Sequence, residues 1–106
     1  MSRSDEERLE DIRAAVDRCQ HYREHLESPE FGAMAYDAVL RNLAVIGEAV
    51  KALPGDFKAA HPEVPWPSIA GLRNVVVHEY FRVNPDLIRD ILADPLSQLA
   101  VAISPE

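Results

Sequence analysis

Residues 30–53 carry the sequence EFGAMAYDAVLRNLAVIGEAVKAL, which has the clearest helical pattern in the chain. Its apolar side chains recur mostly at steps of three and four residues, the period of one helix face. They are Ala35, Ala38, Val39, Leu43, Ile46, Val50 and Leu53. Ser28-Pro29 precedes the pattern as an N-cap followed by a first-turn proline, and Pro54-Gly55 ends it. The pattern therefore predicts a long helix with one face against a core.

Similar patterns on either side predict further helices. Ser4 and Glu7 match a capping box, and an apolar stripe follows over about residues 5–27. This stripe contains Leu9, Ile12, Val16, Cys19, Tyr22 and Leu26. We also predict a short helical turn at 56–61, a helix at 67–82, and a last helix from Asn84-Pro85 to about 103. Pro95 should kink or divide that last helix.

No segment alternates apolar and polar residues as a strand would, so the fold class is all-α. The helix lengths and short connections predict a four- or five-helix bundle. The chain has 106 residues, of which 47% are apolar, which is enough for a core and excludes a disordered chain. We therefore interpret residues 1–106 as a single domain.

Charge and cysteine content exclude several classes of function. The net charge of −7 argues against a protein that holds long nucleic acid by its phosphates. We expect no DNA partner, and any role with RNA must rest on a small local site. The single cysteine, Cys19, excludes a disulfide framework and a cysteine-based zinc site. A charged N-terminus and the lack of a long apolar run predict a cytoplasmic protein with no membrane partner.

The predicted helix at 67–82, PSIAGLRNVVVHEYFR, has apolar residues on more than one side. Helical geometry places four residues on the natural core face, namely Ile69, Leu72, Val76 and Tyr80. Val75 and Phe81 lie away from that face. A helix that is apolar on several sides is buried on several sides, so the second partner is predicted to be another copy of the chain.

Arg73, Asn74 and His78 place polar groups among these apolar residues. Histidine can act as a general base near neutral pH, and arginine can stabilise negative charge on a phosphate. This pair suffices for metal-free RNA cleavage through the ribose 2′-OH. However, the five-residue spacing puts Arg73 and His78 about 140° apart on an ideal helix. Either the helix distorts, or a second copy completes the site across a two-fold axis; from spacing alone, capping, packing and ion pairing also remain open.

The segment at 73–80 fits the Arg-x-x-x-x-His-x-Tyr signature and resembles that of HepT toxins, within the HEPN superfamily. Residues 46–51, IGEAVK, resemble the Ile-Gly-Glu-Ala stretch on the second helix of that family. Pro65-Trp66 resembles the Pro-Trp that precedes the motif helix, and residues 71–74 resemble its lead-in. The resemblance covers nearly the whole chain, in order and at the expected spacings.

This resemblance implies a HEPN-like helical bundle that forms a two-fold homodimer. It implies a metal-independent endoribonuclease with no cofactor, the toxin of a type VII toxin–antitoxin system. Arg73 and His78 would be the catalytic pair, with Asn74 in a supporting or substrate-binding role. A cognate antitoxin similar to MntA, a small nucleotidyltransferase, would neutralise the toxin by transferring AMP from ATP to Tyr80.

Several other residues have simpler interpretations. Glu48 lies near the stripe of the second helix and could pair with Arg73 to support the site. His21 and His25 lie four residues apart and could form a metal pair, but no third ligand is evident, so a solvated helix end is the better interpretation. We predict that Cys19 is a core residue and that Trp66 anchors the start of its helix on the bundle.

Two other functions remain open beside the ribonuclease. One is a non-catalytic helical module that binds and regulates a partner nucleotidyltransferase, which the acidic charge slightly favours. The other is an ordinary helical dimerisation domain. The combination of Arg73, His78 and Tyr80 favours the ribonuclease, because a scaffold does not need all three.

Overall fold

The computed structural model describes residues 4–79 and 84–104, and every regular element in these ranges is a helix. Six helices lie in this part of the chain, in the order α1 (Asp5–Arg23), α2 (Gly32–Lys51), α3 (Gly55–Ala59), α4 (Trp66–Ala70), α5 (Leu72–Glu79) and α6 (Pro85–Ile103). The predicted all-α fold is confirmed. Over the same residues, each helix is too short or too polar to cross a membrane.

The pairing of α1 with α2 forms the centre of the bundle. The predicted capping box begins α1: Glu7 N–H donates to Ser4 Oγ, and Ser4 N–H donates to Glu7 Oε1, each at 3.1 Å. Most residues of the predicted stripes on both helices are buried, with Ile12, Cys19, Leu43, Ile46 and Val50 fully excluded from solvent. Leu9, Tyr22 and Ala38 are half-buried. Each large aliphatic side chain buried in this way stabilises the fold by about 1.5–3 kcal/mol.

Both long helices are shorter than the sequence pattern predicts. Helix α1 ends at Arg23, and residues 24–27 form turns that keep Leu26 buried. The prediction that Ser28 is the N-cap of this helix is wrong, because the N-cap of α2 is Phe31, which has no side-chain cap. Ser28 instead caps the turn that precedes α2, where its Oγ accepts a hydrogen bond from Phe31 N–H at 3.1 Å. The regular part of α2 begins only at Gly32, after this capped turn.

The helix predicted over 67–82 is divided into α4 and α5 at Gly71. The Gly71 carbonyl accepts from the N–H groups of both Asn74 (3.0 Å) and Val75 (3.3 Å), so the backbone tightens between the two helices. This division raises the number of helices in the described ranges above the predicted four or five. Tyr80 and Phe81, predicted on the same helix, lie outside the described residues.

The ends of this region are anchored as the sequence predicts. Trp66 is buried at the start of α4, and its Nε1 donates to the carbonyls of Lys58 (2.9 Å) and His61 (3.0 Å). The Asn84 side chain accepts from Leu87 N–H at 3.3 Å and caps α6. Pro95 lies inside α6 without dividing it.

Helix α6 packs on α1 and completes the core. Its buried face consists of Ile88, Leu92, Leu96, Leu99 and Ile103. Two polar contacts accompany this packing: Gln20 Nε2 donates to Leu92 O at 3.3 Å, and Arg13 Nε donates to Ile103 O at 2.6 Å. Helix α2 also packs against α4 and α5.

Candidate functional site

A close approach of backbones at Gly47 positions the start of α5. A Cβ atom on Gly47 would lie 3.2 Å from Arg73 N, 3.2 Å from Ile69 O and 3.4 Å from Ala70 O. All three neighbours are backbone atoms of the α4–α5 junction, which cannot rotate away as a side chain could. The absence of a side chain at Gly47 therefore lets the junction rest directly on α2, next to Glu48.

This approach brings together Arg73 and Glu48, which are 25 residues apart in sequence. Arg73 Nη1 donates to Glu48 Oε1 at 2.7 Å, so the pairing suggested by the sequence is present. The side chains are 61% and 50% exposed, and an exposed ion pair contributes only about 0–1 kcal/mol to stability. Its main effect is to hold the guanidinium in one orientation, with its other N–H donors open to solvent.

Helix α5 packs against α2. It begins beside Gly47, and beyond α5 the chain reaches Asn84, whose N–H donates to the hydroxyl of Tyr36 at 2.9 Å, near the other end of α2. Asn74 and His78 lie on α5 with exposed side chains. His78 forms no hydrogen bond or ion pair with any residue of the described ranges, so its imidazole is open to solvent.

Within one copy of the chain, the structure does not bring the side chains of Arg73 and His78 together on α5. The distortion lies at Gly71, ahead of both residues, and α5 is a continuous helix over Leu72–Glu79. The two side chains therefore project about 140° apart and are about 7.5 Å apart along the axis. The sequence left two alternatives, a distortion of the helix or a site completed by a second copy. Helix α5 has no distortion between Arg73 and His78.

An open groove of about 660 Å³ lies beside the ion pair. Its charged residues are Arg8 and Asp11 of α1, Arg41 and Glu48 of α2, and Arg73 of α5. Small apolar side chains form the rest, namely Ala44, Val45, Ala49 and Ala52. Three guanidinium groups and two carboxylates share this space, so the groove has a local excess of one positive charge although the whole chain is acidic.

Sequence reasoning missed Gly47 and Arg41 as parts of this region. Arg41 lies seven residues before Glu48, a spacing that places both on one side of a helix. That spacing could have identified Arg41. The role of Gly47 depends on which backbone approaches it, and the pattern of α2 alone carries no signal for this.

The remaining candidates lie elsewhere. The His21 and His25 rings pack edge-on at 5.9 Å, and His25 also packs edge-on against Phe31 at 6.4 Å. Within residues 4–79 and 84–104, no group of three or more His, Cys, Asp or Glu side chains could hold a metal ion. Cys19 is buried in the core as predicted, and burial raises the pKa of its thiol to about 12. Tyr80 lies outside the described residues.

Comparisons with known proteins agree with the motif. A family model described as "Ribonuclease HepT-like" matches residues 7–105. The chain is 38% identical over 86 residues to a "Probable ribonuclease HepT" of Thermococcus cleftensis, covering 79% of this chain and 78% of the relative. It is also 38% identical over 86 residues to a "Putative RNase" of Caldanaerobacter subterraneus, covering 76% and 77%. No solved structure matches the chain.

Proposed function

The chain belongs to the HepT-like ribonuclease family, and on that basis we propose that it is a metal-independent endoribonuclease that cleaves RNA in the cytoplasm. We further propose that it is the toxin of a type VII toxin–antitoxin pair. The observation that carries the proposal is the position of Arg73. Glu48 holds its guanidinium at 2.7 Å beside an open groove, and the exposed His78 follows on the same helix.

The proposed chemistry is the attack of a ribose 2′-oxygen on the neighbouring phosphorus. His78 removes the 2′-OH proton as general base, and the bond from phosphorus to the 5′-oxygen breaks. The departing oxygen takes a proton, so the products are a 2′,3′-cyclic phosphate and a 5′-hydroxyl. Arg73 binds the phosphate oxygens, on which negative charge develops in the transition state. Asn74 and Glu48 support this site, Glu48 by holding Arg73.

The proposed site is completed by a second copy of the chain. One α5 directs Arg73 and His78 to different sides, so a cleft lined by α5 from both copies is needed to surround one phosphate. In this proposal Val77, which is next to His78 and 61% exposed, lies at the contact with the second copy. In this dimer the two His78 side chains face a shared cleft.

Control is proposed to act at Tyr80. The Tyr80 oxygen attacks the α-phosphorus of ATP, pyrophosphate leaves, and the phenol proton is lost, so Tyr80 carries AMP. A partner nucleotidyltransferase similar to MntA catalyses this transfer. Tyr80 lies seven residues after Arg73, and the added anionic phosphate would compete with RNA for the guanidinium.

The test is a comparison of single variants in a cleavage assay on single-stranded RNA. Arg73→Ala and His78→Ala should each lower the cleavage rate by roughly 10²-fold or more, with unchanged helix content by circular dichroism. Arg18→Ala is the matched control, because Arg18 is an exposed arginine of α1 outside the groove. Wild-type activity should survive EDTA, and the products should end in a cyclic phosphate.

Expression in cells tests the toxin and its control. The wild type should arrest growth, and co-expression of the nucleotidyltransferase should relieve the arrest and add AMP to Tyr80, measured by mass spectrometry. Tyr80→Phe keeps the ring but lacks the oxygen, so it should remain toxic and escape neutralisation. A wild type that binds the transferase but cleaves no RNA would instead support the non-catalytic module.

A further inference from the structure

The groove beside Arg73 contains a second exposed arginine that the proposed chemistry does not use. Arg41 lies on α2 with its side chain exposed, and it forms no ion pair with another described residue. The other two arginines of the groove each have a carboxylate partner. Arg73 pairs with Glu48 at 2.7 Å, and Arg8 pairs with Asp5 at 3.2 Å.

Arg41 lies on the same side of α2 as the carboxylate that holds Arg73. Seven residues separate Arg41 from Glu48, which is about two helical turns, roughly 10 Å along the axis and about 20° around it. The groove between these two positions is floored by Ala44 and Val45, which are small and uncharged. Arg41 and Arg73 therefore line the same groove, and no charged residue of α2 lies between Arg41 and Glu48.

We propose that Arg41 forms a second phosphate-binding subsite, which holds the RNA backbone at a phosphate next to the one that is cleaved. This inference rests on the proposed ribonuclease function and identifies its substrate as a strand that extends beyond the cleaved bond. The charge balance supports it. In a chain of net charge −7, attraction for RNA must come from local groups, and this groove holds three arginines against two carboxylates, Asp11 and Glu48.

The subsite predicts that the effect of Arg41 depends on substrate length. A dinucleoside monophosphate has only the phosphate that is cleaved, whereas a single strand of about ten nucleotides also supplies its neighbours. Arg41→Ala should raise KM on the longer strand roughly tenfold with little change in kcat, since one charge-assisted contact is lost. On the dinucleoside monophosphate, wild type and variant should have equal kcat/KM. Arg41→Lys should recover part of the loss on the longer strand.

Binding gives a second readout that does not depend on turnover. In the His78→Ala background, the affinity for the longer strand is measured by fluorescence anisotropy at several salt concentrations. Arg41→Ala should reduce the slope of log K against log salt by about 0.7, the value for one phosphate contact to a single strand. Arg18→Ala removes the same charge outside the groove and should leave both the slope and KM unchanged.

The outcomes separate this inference from the function on which it rests. If the wild type cleaves RNA and Arg41→Ala matches it on the longer strand with the same salt slope, the subsite is refuted and the ribonuclease stands. An equal loss on both substrates also refutes the subsite, because Arg41 would then act through Arg73 or through the fold. A wild type that neither binds nor cleaves RNA overturns both proposals.

Discussion

Replacing Gly47 with alanine would insert a methyl group between α2 and the α4–α5 junction. The new Cβ would lie 3.2 Å from both Arg73 N and Ile69 O, so the junction must move by a few tenths of an ångström. Gly47 is buried in the interior of α2, where a helix normally favours alanine over glycine. The substitution therefore sets local helix preference against tertiary packing.

The two effects have opposite signs and comparable sizes. Alanine gains about 1 kcal/mol over glycine in a helix interior. Overpacking against backbone that cannot rotate away costs about 1–3 kcal/mol. The expected net effect on the free energy of unfolding thus lies between roughly no change and a loss of about 2 kcal/mol. Gly55→Ala is the matched control, because nothing lies within 4 Å of a Cβ there, and it should be neutral or gain up to about 1 kcal/mol.

Urea denaturation of both variants measures this difference, and RNA cleavage measures its consequence for the site. Because the Gly47 methyl presses on Arg73 N, Gly47→Ala should also lower kcat, whereas Gly55→Ala should not. The reasoning is refuted if Gly47→Ala gains as much stability as Gly55→Ala and retains full activity. That result would mean that α2 and the junction are not in contact at Gly47.

Two further predictions concern stability away from the site. Burial raises the pKa of the Cys19 thiol to about 12, so the folded state favours the protonated thiol. This preference stabilises the fold fully below about pH 9. The stabilisation falls by about 1.4 kcal/mol per pH unit as the pH rises toward 12. Urea denaturation at about pH 8 and about pH 10 should therefore show a steeper loss for the wild type than for Cys19→Ala, and equal losses would contradict the raised pKa. Tyr36→Phe removes the acceptor of Asn84 N–H, and because Asn84 is exposed the freed N–H can bond to water, so the loss should be about 0.5–1.5 kcal/mol with faster hydrogen exchange of that amide. An unchanged exchange rate would show that the bond does not restrain the chain there.

The parts of the fold that follow from local pattern could be predicted from the sequence. The buried faces of α1 and α2 follow from apolar spacing, because the helical period fixes which side chains share a side. Ser4 and Asn84 were recognisable as the N-caps of α1 and α6, since a cap bonds to N–H groups only a few residues away. The division at Gly71 was not predictable in this way, because the period continues through it.

In the candidate site too, some features follow from the sequence and others depend on the tertiary structure. The sequence by itself predicted Arg73 and His78 as the catalytic pair through the motif at 73–80, and it suggested Glu48 as a partner of Arg73. Only the tertiary structure decided that Arg73 pairs with Glu48, that Gly47 admits the α4–α5 junction, and that Arg41 shares the groove. The physical reason is distance along the chain. Helical pattern and capping arise from neighbouring residues, whereas contacts between residues 25 apart depend on how closely two backbones can dock.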